Sequence, residues 1–200
     1  MEKTTKEGAP GGAGQGRSRR RYSAEESNSS GGRLMSSGSP SMQLELRSAH
    51  VPGEGNERRP LAALCEDEPH VHGELAWTIG ERRVPCMGFW GPDDVCLGQW
   101  WDELTGAVAA LSDRQPYTLD SCEQGDPAFL FERTDASLHL SIVAGIGGGA
   151  PHPEWQNAEF AWDDLGAALR RFKHDLRQLL ELKGPPTLPA EWKKRFSERE

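Results

Sequence analysis

His70 and His72 form the pair whose spacing comes nearest to a metal site. Two positions apart on a strand, both rings point to one face, where they can chelate one ion. The acid and third histidine that complete such a set do not follow at a fitting spacing, and only tertiary folding would recruit His139 or His152. The plainer expectation is two surface histidines at a strand entry and no cofactor. A metal-dependent enzyme built on His70 and His72 stays as an alternative. Cys65, Cys86, Cys96 and Cys122 contain no Cys-x-x-Cys pair and read as reduced thiols, neither zinc ribbon nor redox dithiol. Gly145-Ile146-Gly147-Gly148-Gly149 has the composition of a phosphate cradle, but no Lys-Ser/Thr follows, so a mobile linker is expected. Gly-x-Ser-x-Gly is absent. None of these patterns specifies an enzyme.

Charge and tryptophan carry more information. The 200-residue chain has a net charge of −8. Residues 42–169 hold 7 basic and 22 acidic side chains, a net −15, whereas residues 1–41 and 170–200 are basic, at +3 and +4. An acidic field of this size steers basic proteins inward and repels nucleic acid. Seven tryptophans are present, six of them between 77 and 162. Trp77 and Trp162 sit in apolar registers and belong to a core. Trp90, Trp100, Trp101 and Trp155 flank turns and glycine loops, where core and interface both fit. Exposed tryptophan among acids suits a protein interface, because charge recruits and aromatic burial anchors. The candidate contacts are therefore Asp93, Asp94, Trp100, Trp101, Asp102 and Glu103.

The elements that must position these groups are strands followed by helices. Met42, Leu44 and Leu46 alternate with polar residues, the period of a half-buried strand. The same alternation runs from Val71 to Ile79, and Gly80-Glu81 turns it into a third strand near 82–90. Gly91-Pro92-Asp93-Asp94 predicts a turn. Trp100, Trp101, Leu104, Val108 and Leu111 then repeat at helical spacing, with Asp102 and Glu103 in the first turn. Strands follow at Tyr117 to Ser121, Ala128 to Arg133 and Ser137 to Ala144, and Trp155 to Trp162 reads as a last one. Leu165, Leu169, Phe172, Leu176 and Leu179 make one apolar stripe on a long helix over 163–183, which Gly184-Pro185-Pro186 stops. Residues 184–200 read as a Pro-rich link and a short helix. Residues 1–41, rich in Gly and Ser, read as a disordered tail or as a start-site artefact, with Met35 and Met42 as alternative starts. Arg17-Ser18-Arg19-Arg20-Arg21 lacks the apolar stretch that an export signal needs. No apolar run reaches the ~18–20 residues that span a bilayer. The expectation is a cytoplasmic α+β domain at 42–183: one antiparallel sheet of about six strands, packed by a central and a C-terminal helix.

Four stretches carry a resemblance: Met42 to Leu46, the run Cys96 to Leu104 leading into a helix that ends at Leu111, the strand region Glu123 to Glu132, and Trp162-Asp163-Asp164-Leu165. Over about residues 42–183 the chain resembles the WapI-type immunity proteins of bacterial polymorphic toxin systems. Val51 to Pro69 and the loop 145–153 do not belong to that pattern. The resemblance implies an antiparallel sheet with two helices, and stoichiometric neutralisation of a basic toxin or effector rather than catalysis. A chaperone or adaptor for a secreted effector is the alternative of the same kind.

Overall fold

The computed structural model describes residues 39–55, 57–88, 91–121 and 125–197, all within the unit Ser37–Glu200. The tail expected at 1–41 thus lies outside the described residues, apart from 39–41. The fold is α+β.

Strand β1 (Met42–Leu46) leads into β2 (Val51–Pro52) and β3 (Arg58–Arg59), a two-stranded ribbon. A 3-10 turn (Leu61–Ala63) precedes β4 (His72–Gly73) and β5 (Leu75–Ile79). Sequence alternation predicts one strand here, and the break has a physical cause. At Gly73 a Cβ would lie 2.0 Å from the Ser48 carbonyl oxygen. Only glycine admits so close a backbone, and there the ladder changes partner. His72 and Gly73 pair with β7 (Val95–Cys96), whereas Leu75–Ile79 pairs with β1, Leu44 opposite Trp77. Gly80 (φ 60°) opens the expected hairpin loop, but β6 is only Arg82–Arg83. Phe89 and Trp90, expected in that strand, are outside the described residues.

Helix α1 (Leu97–Ser112) starts three residues earlier than the tryptophans indicate, so Asp102 and Glu103 occupy its second turn, not its first. Strands β8 (Tyr117–Leu119), β9 (Ala128–Arg133) and β10 (Ser137–Val143) follow. A 3-10 turn (Pro153–Trp155) takes the start of the expected last strand, leaving β11 as Ala158–Ala161. Helix α2 (Trp162–Lys183) carries Asp163 and Asp164 in its first turn, as the helix dipole favours. Asp164 also accepts a hydrogen bond of 3.0 Å from the Met42 N–H, tying helix to strand. Helix α3 (Ala190–Ser197) closes the chain.

The expected single sheet of about six strands is corrected. The ladders form a three-stranded sheet β1-β5-β6, a four-stranded sheet β11-β10-β9-β8 and the pairs β2-β3 and β4-β7, all antiparallel. The cause is local: β2, β3, β4, β6 and β7 are two residues each, too short to carry a ladder onward.

Aromatic packing joins the two larger sheets. Trp77 of β5 stacks on Phe131 of β9 at 5.7 Å between ring centres and 11° between planes. Phe129 and Trp100 pack on the same indole at 6.1 Å. Leu165, Leu169, Phe172, Leu176 and Leu180 form the buried stripe of α2; Leu179, expected in the stripe, is only half-buried. The helix packs on β1, α1 and β11.

Candidate functional site

Three segments converge at the start of α1. The turn ending at Asp94 is closed by a 3.1 Å bond from the Asp94 N–H to the Gly91 carbonyl. Asp94 and Cys96 then stand two apart, a spacing that sends extended side chains to one side. Register places His72 directly opposite Cys96. His72 Nδ1 lies 2.8 Å from Asp94 Oδ1, and since an ionised carboxylate only accepts, the imidazole donates. As cross-strand partners, His72 and Cys96 line the same cavity. Cys96 is itself the N-cap residue of α1, where first-turn N–H groups leave partial positive charge.

The electrostatics follow from these contacts. Burial pushes the Cys96 thiol up, but the neighbouring His72 side chain, the backbone at Gln99 and the charge of Arg195 outweigh it, leaving the thiol below its ordinary range. His72 is raised, first by the Cys96 side chain, against burial, and then by Asp94. Both shifts favour the same charge state, thiolate with imidazolium. His50, with its ring 6.4 Å from that of His72, goes the other way: burial, then the charges of Arg58 and His72, lower it. The cavity beside Cys96 has a volume of about 300 Å³, and His72, Asp94, Gln99, Trp100 and Asp126 line it.

The predicted contact residues do not form one surface. Asp93 is paired with Arg58. Asp94 holds His72. Trp100 and Trp101 are only 6% and 4% exposed, which corrects their reading as surface anchors. With Leu97, Leu104, Ala107 and Leu111 they make the buried face of α1. Trp101 packs on Phe172, Trp192 and Phe196, under the Lys173 ammonium. Trp155 is buried too, beneath the Arg82 guanidinium. Trp77 is core as expected, whereas Trp162 is half-buried under Arg133. Asp102 is exposed and bound by Arg195 through two nitrogens, at 3.0 and 2.6 Å. Glu103 accepts a 2.7 Å bond from the Tyr117 hydroxyl; burial and this carboxylate push Tyr117 up to about 12.

His70 lines a cavity between α1 and α3, with Asp102, Glu103 and Arg195, while His72 lines another; Cys96 borders both. Among the described residues no group of three His, Cys, Asp or Glu is placed to hold a metal ion. Cys65, Cys86 and Cys96 are free thiols, and Cys122 is outside the described residues.

Sequence reasoning missed two features. One is the Cys96–His72–Asp94 cluster, whose sequence signal is only Asp94-x-Cys96 in front of a helix. The other is the loop 145–149, expected as a mobile linker. Backbone bonds tie it together: Gly145 to Gly149 at 3.2 Å, Gly148 to Gly145 at 3.0 Å and Gly125 to Gly147 at 3.0 Å. Asp120 accepts from the Ile146 N–H at 2.8 Å. This pinned loop leaves Ile146 85% exposed.

Among the described residues no helix is long and apolar enough to cross a membrane. No protein-family model, curated protein or solved structure matches the chain.

Proposed function

We propose that the chain binds and neutralises a basic protein partner, a toxin or effector, as the immunity proteins it resembles do. One observation carries this reading. The described segment includes most of the −15 stretch, and its only buried polar or charged side chains are Ser141 and Lys173. Every described carboxylate therefore reaches the surface, where its field acts on a partner. Ile146 adds an exposed apolar tip on a backbone already ordered, so its burial costs little further entropy. The contact surface then centres on this loop and the acids Asp120 and Asp126 beside it, instead of on the two buried tryptophans.

Co-expression with the product of the adjacent gene tests the reading, with survival and complex formation as readouts. Rescue and a stoichiometric complex are expected, with an association rate that falls steeply as salt rises. No rescue and no complex would sink it. Within a complex, Ile146→Asp is expected to weaken affinity at least about tenfold, the scale of an interface hot spot, with unchanged thermal stability. Unchanged affinity on titration calorimetry would remove the loop from the contact surface.

A further inference from the structure

We propose that Cys96, His72 and Asp94 form a nucleophilic thiol site for acyl transfer, in the cavity at the N-terminus of α1. Three kinds of group needed for such chemistry meet there. Cys96 is the nucleophile. His72 stands opposite it on the neighbouring strand and acts as acid and then base. Asp94, 2.8 Å from Nδ1, fixes the ring and stabilises its charge, acting as a positioning residue. Cys96 is half-buried and lines the cavity, which matters as much as its partners, since a substrate must reach the sulfur. Cys86 makes a useful contrast: its Sγ lies 3.4 Å from His152 Nε2, yet burial and the charges of Asp126 and Glu154 push that thiol up.

The cavity defines the substrate class. About 300 Å³ is the small end of ligand pockets, enough for a short acyl group and its leaving group. Met87, Val95 and Trp100 give it apolar wall, while Asp94 and Asp126 oppose a second anion. The fitting substrate is a small neutral or cationic ester or thioester. The Cys96 thiolate attacks the carbonyl carbon and a C–S bond forms. The tetrahedral oxyanion sits at the positive end of α1, near Gln99. As it collapses, the bond to the leaving oxygen or sulfur breaks and His72 gives that atom its proton. Water then attacks the thioester while His72 takes its proton. The C–S bond breaks, releasing the carboxylic acid and restoring the thiolate–imidazolium pair.

The first test is iodoacetamide labelling of the full chain, read by mass spectrometry at each cysteine. Near pH 7, Cys96 is expected to alkylate at least about tenfold faster than Cys65, the exposed thiol. The advantage should widen at lower pH and vanish in His72→Gln. Asp94 acts on His72 and Arg195 on Cys96, while His50 and Asp126 face the same groups, so the profile is read at constant salt. The second test is 4-nitrophenyl acetate. A burst of one nitrophenolate per chain and an acetyl group on Cys96 are expected, both absent in Cys96→Ser. Labelling of Cys96 no faster than of Cys65 overturns the proposal. So does fast labelling without acetylation, or ester turnover that survives Cys96→Ser. The wild-type measurements need neither variant to fold. They also need no partner, so their failure leaves the binding reading standing.

Discussion

Trp77→Ala lowers the stability of the fold by about 3–5 kcal/mol, the cost of emptying a large aromatic site that cannot collapse. Trp77 is 0% exposed and lies where both larger sheets and α1 meet. Its ring faces Phe131 on one side, with Phe129 and the edge of Trp100 around it, and these rigid rings do not reshape to fill the void. Against a total stability of roughly 5–15 kcal/mol, this leaves a marginal or unfolded protein. Urea unfolding followed by circular dichroism measures it. Trp77→Phe is the control: the indole N–H meets no acceptor among the described residues, so phenylalanine gives up volume without giving up a hydrogen bond. It is expected to retain most of the stability. A loss under about 1 kcal/mol for Trp77→Ala would mean that the two sheets do not depend on this contact.

Trp192→Ala is expected to cost about 3 kcal/mol or more and to release α3 from the fold. Sequence marks residues 184–200 as a link and a short helix, yet Trp192 is as buried as Trp77, at 0% exposure. Its indole N–H donates to the Pro69 carbonyl at 2.7 Å, and its ring meets Trp101 edge-on at 6.5 Å and 89°. The Arg195 guanidinium covers the ring and binds Asp102, so one substitution loosens several contacts together. Limited proteolysis between α2 and α3, alongside urea unfolding, reads the release. Leu182→Ala, at a position 80% exposed on the neighbouring helix, should change stability by no more than about 0.5 kcal/mol. Equal effects from the two substitutions would show that α3 is merely appended.

Both substitutions concern tryptophans, and their different legibility is instructive. Trp77 lies in an alternating strand whose inward face is readable from its neighbours. Trp192 lies in an eight-residue helix with few apolar residues, where burial depends on the distant Pro69 and Trp101. Trp100 and Trp101 fall between. Their helix was plain from Leu104 and Leu111, but a helix with neighbours on more than one side buries adjacent residues that no single stripe predicts.

The sites divide along the same line. The acidic excess of 42–169 was legible because charge is additive along a chain. Which acids act together was not. Asp93 went to Arg58, Asp94 to His72, Asp102 to Arg195 and Glu103 to Tyr117, and every one of those partners comes from another element. His70 and His72 seemed a pair on one strand, but β4 begins at His72, and the two rings line different cavities.

Local order therefore belonged to the amino-acid sequence alone: β1, β9, β10 and α2, the hairpin at Gly80, and the sign of the middle of the chain. These follow from periodicity, turn chemistry and charge count, all properties of neighbouring residues. Strand partners, the burial of Trp100, Trp101 and Trp192, and the meeting of Cys96 with His72 belonged to the tertiary structure. Each depends on register between segments far apart in the chain. A shift of one residue between β4 and β7 would turn His72 away from Cys96 to the opposite face.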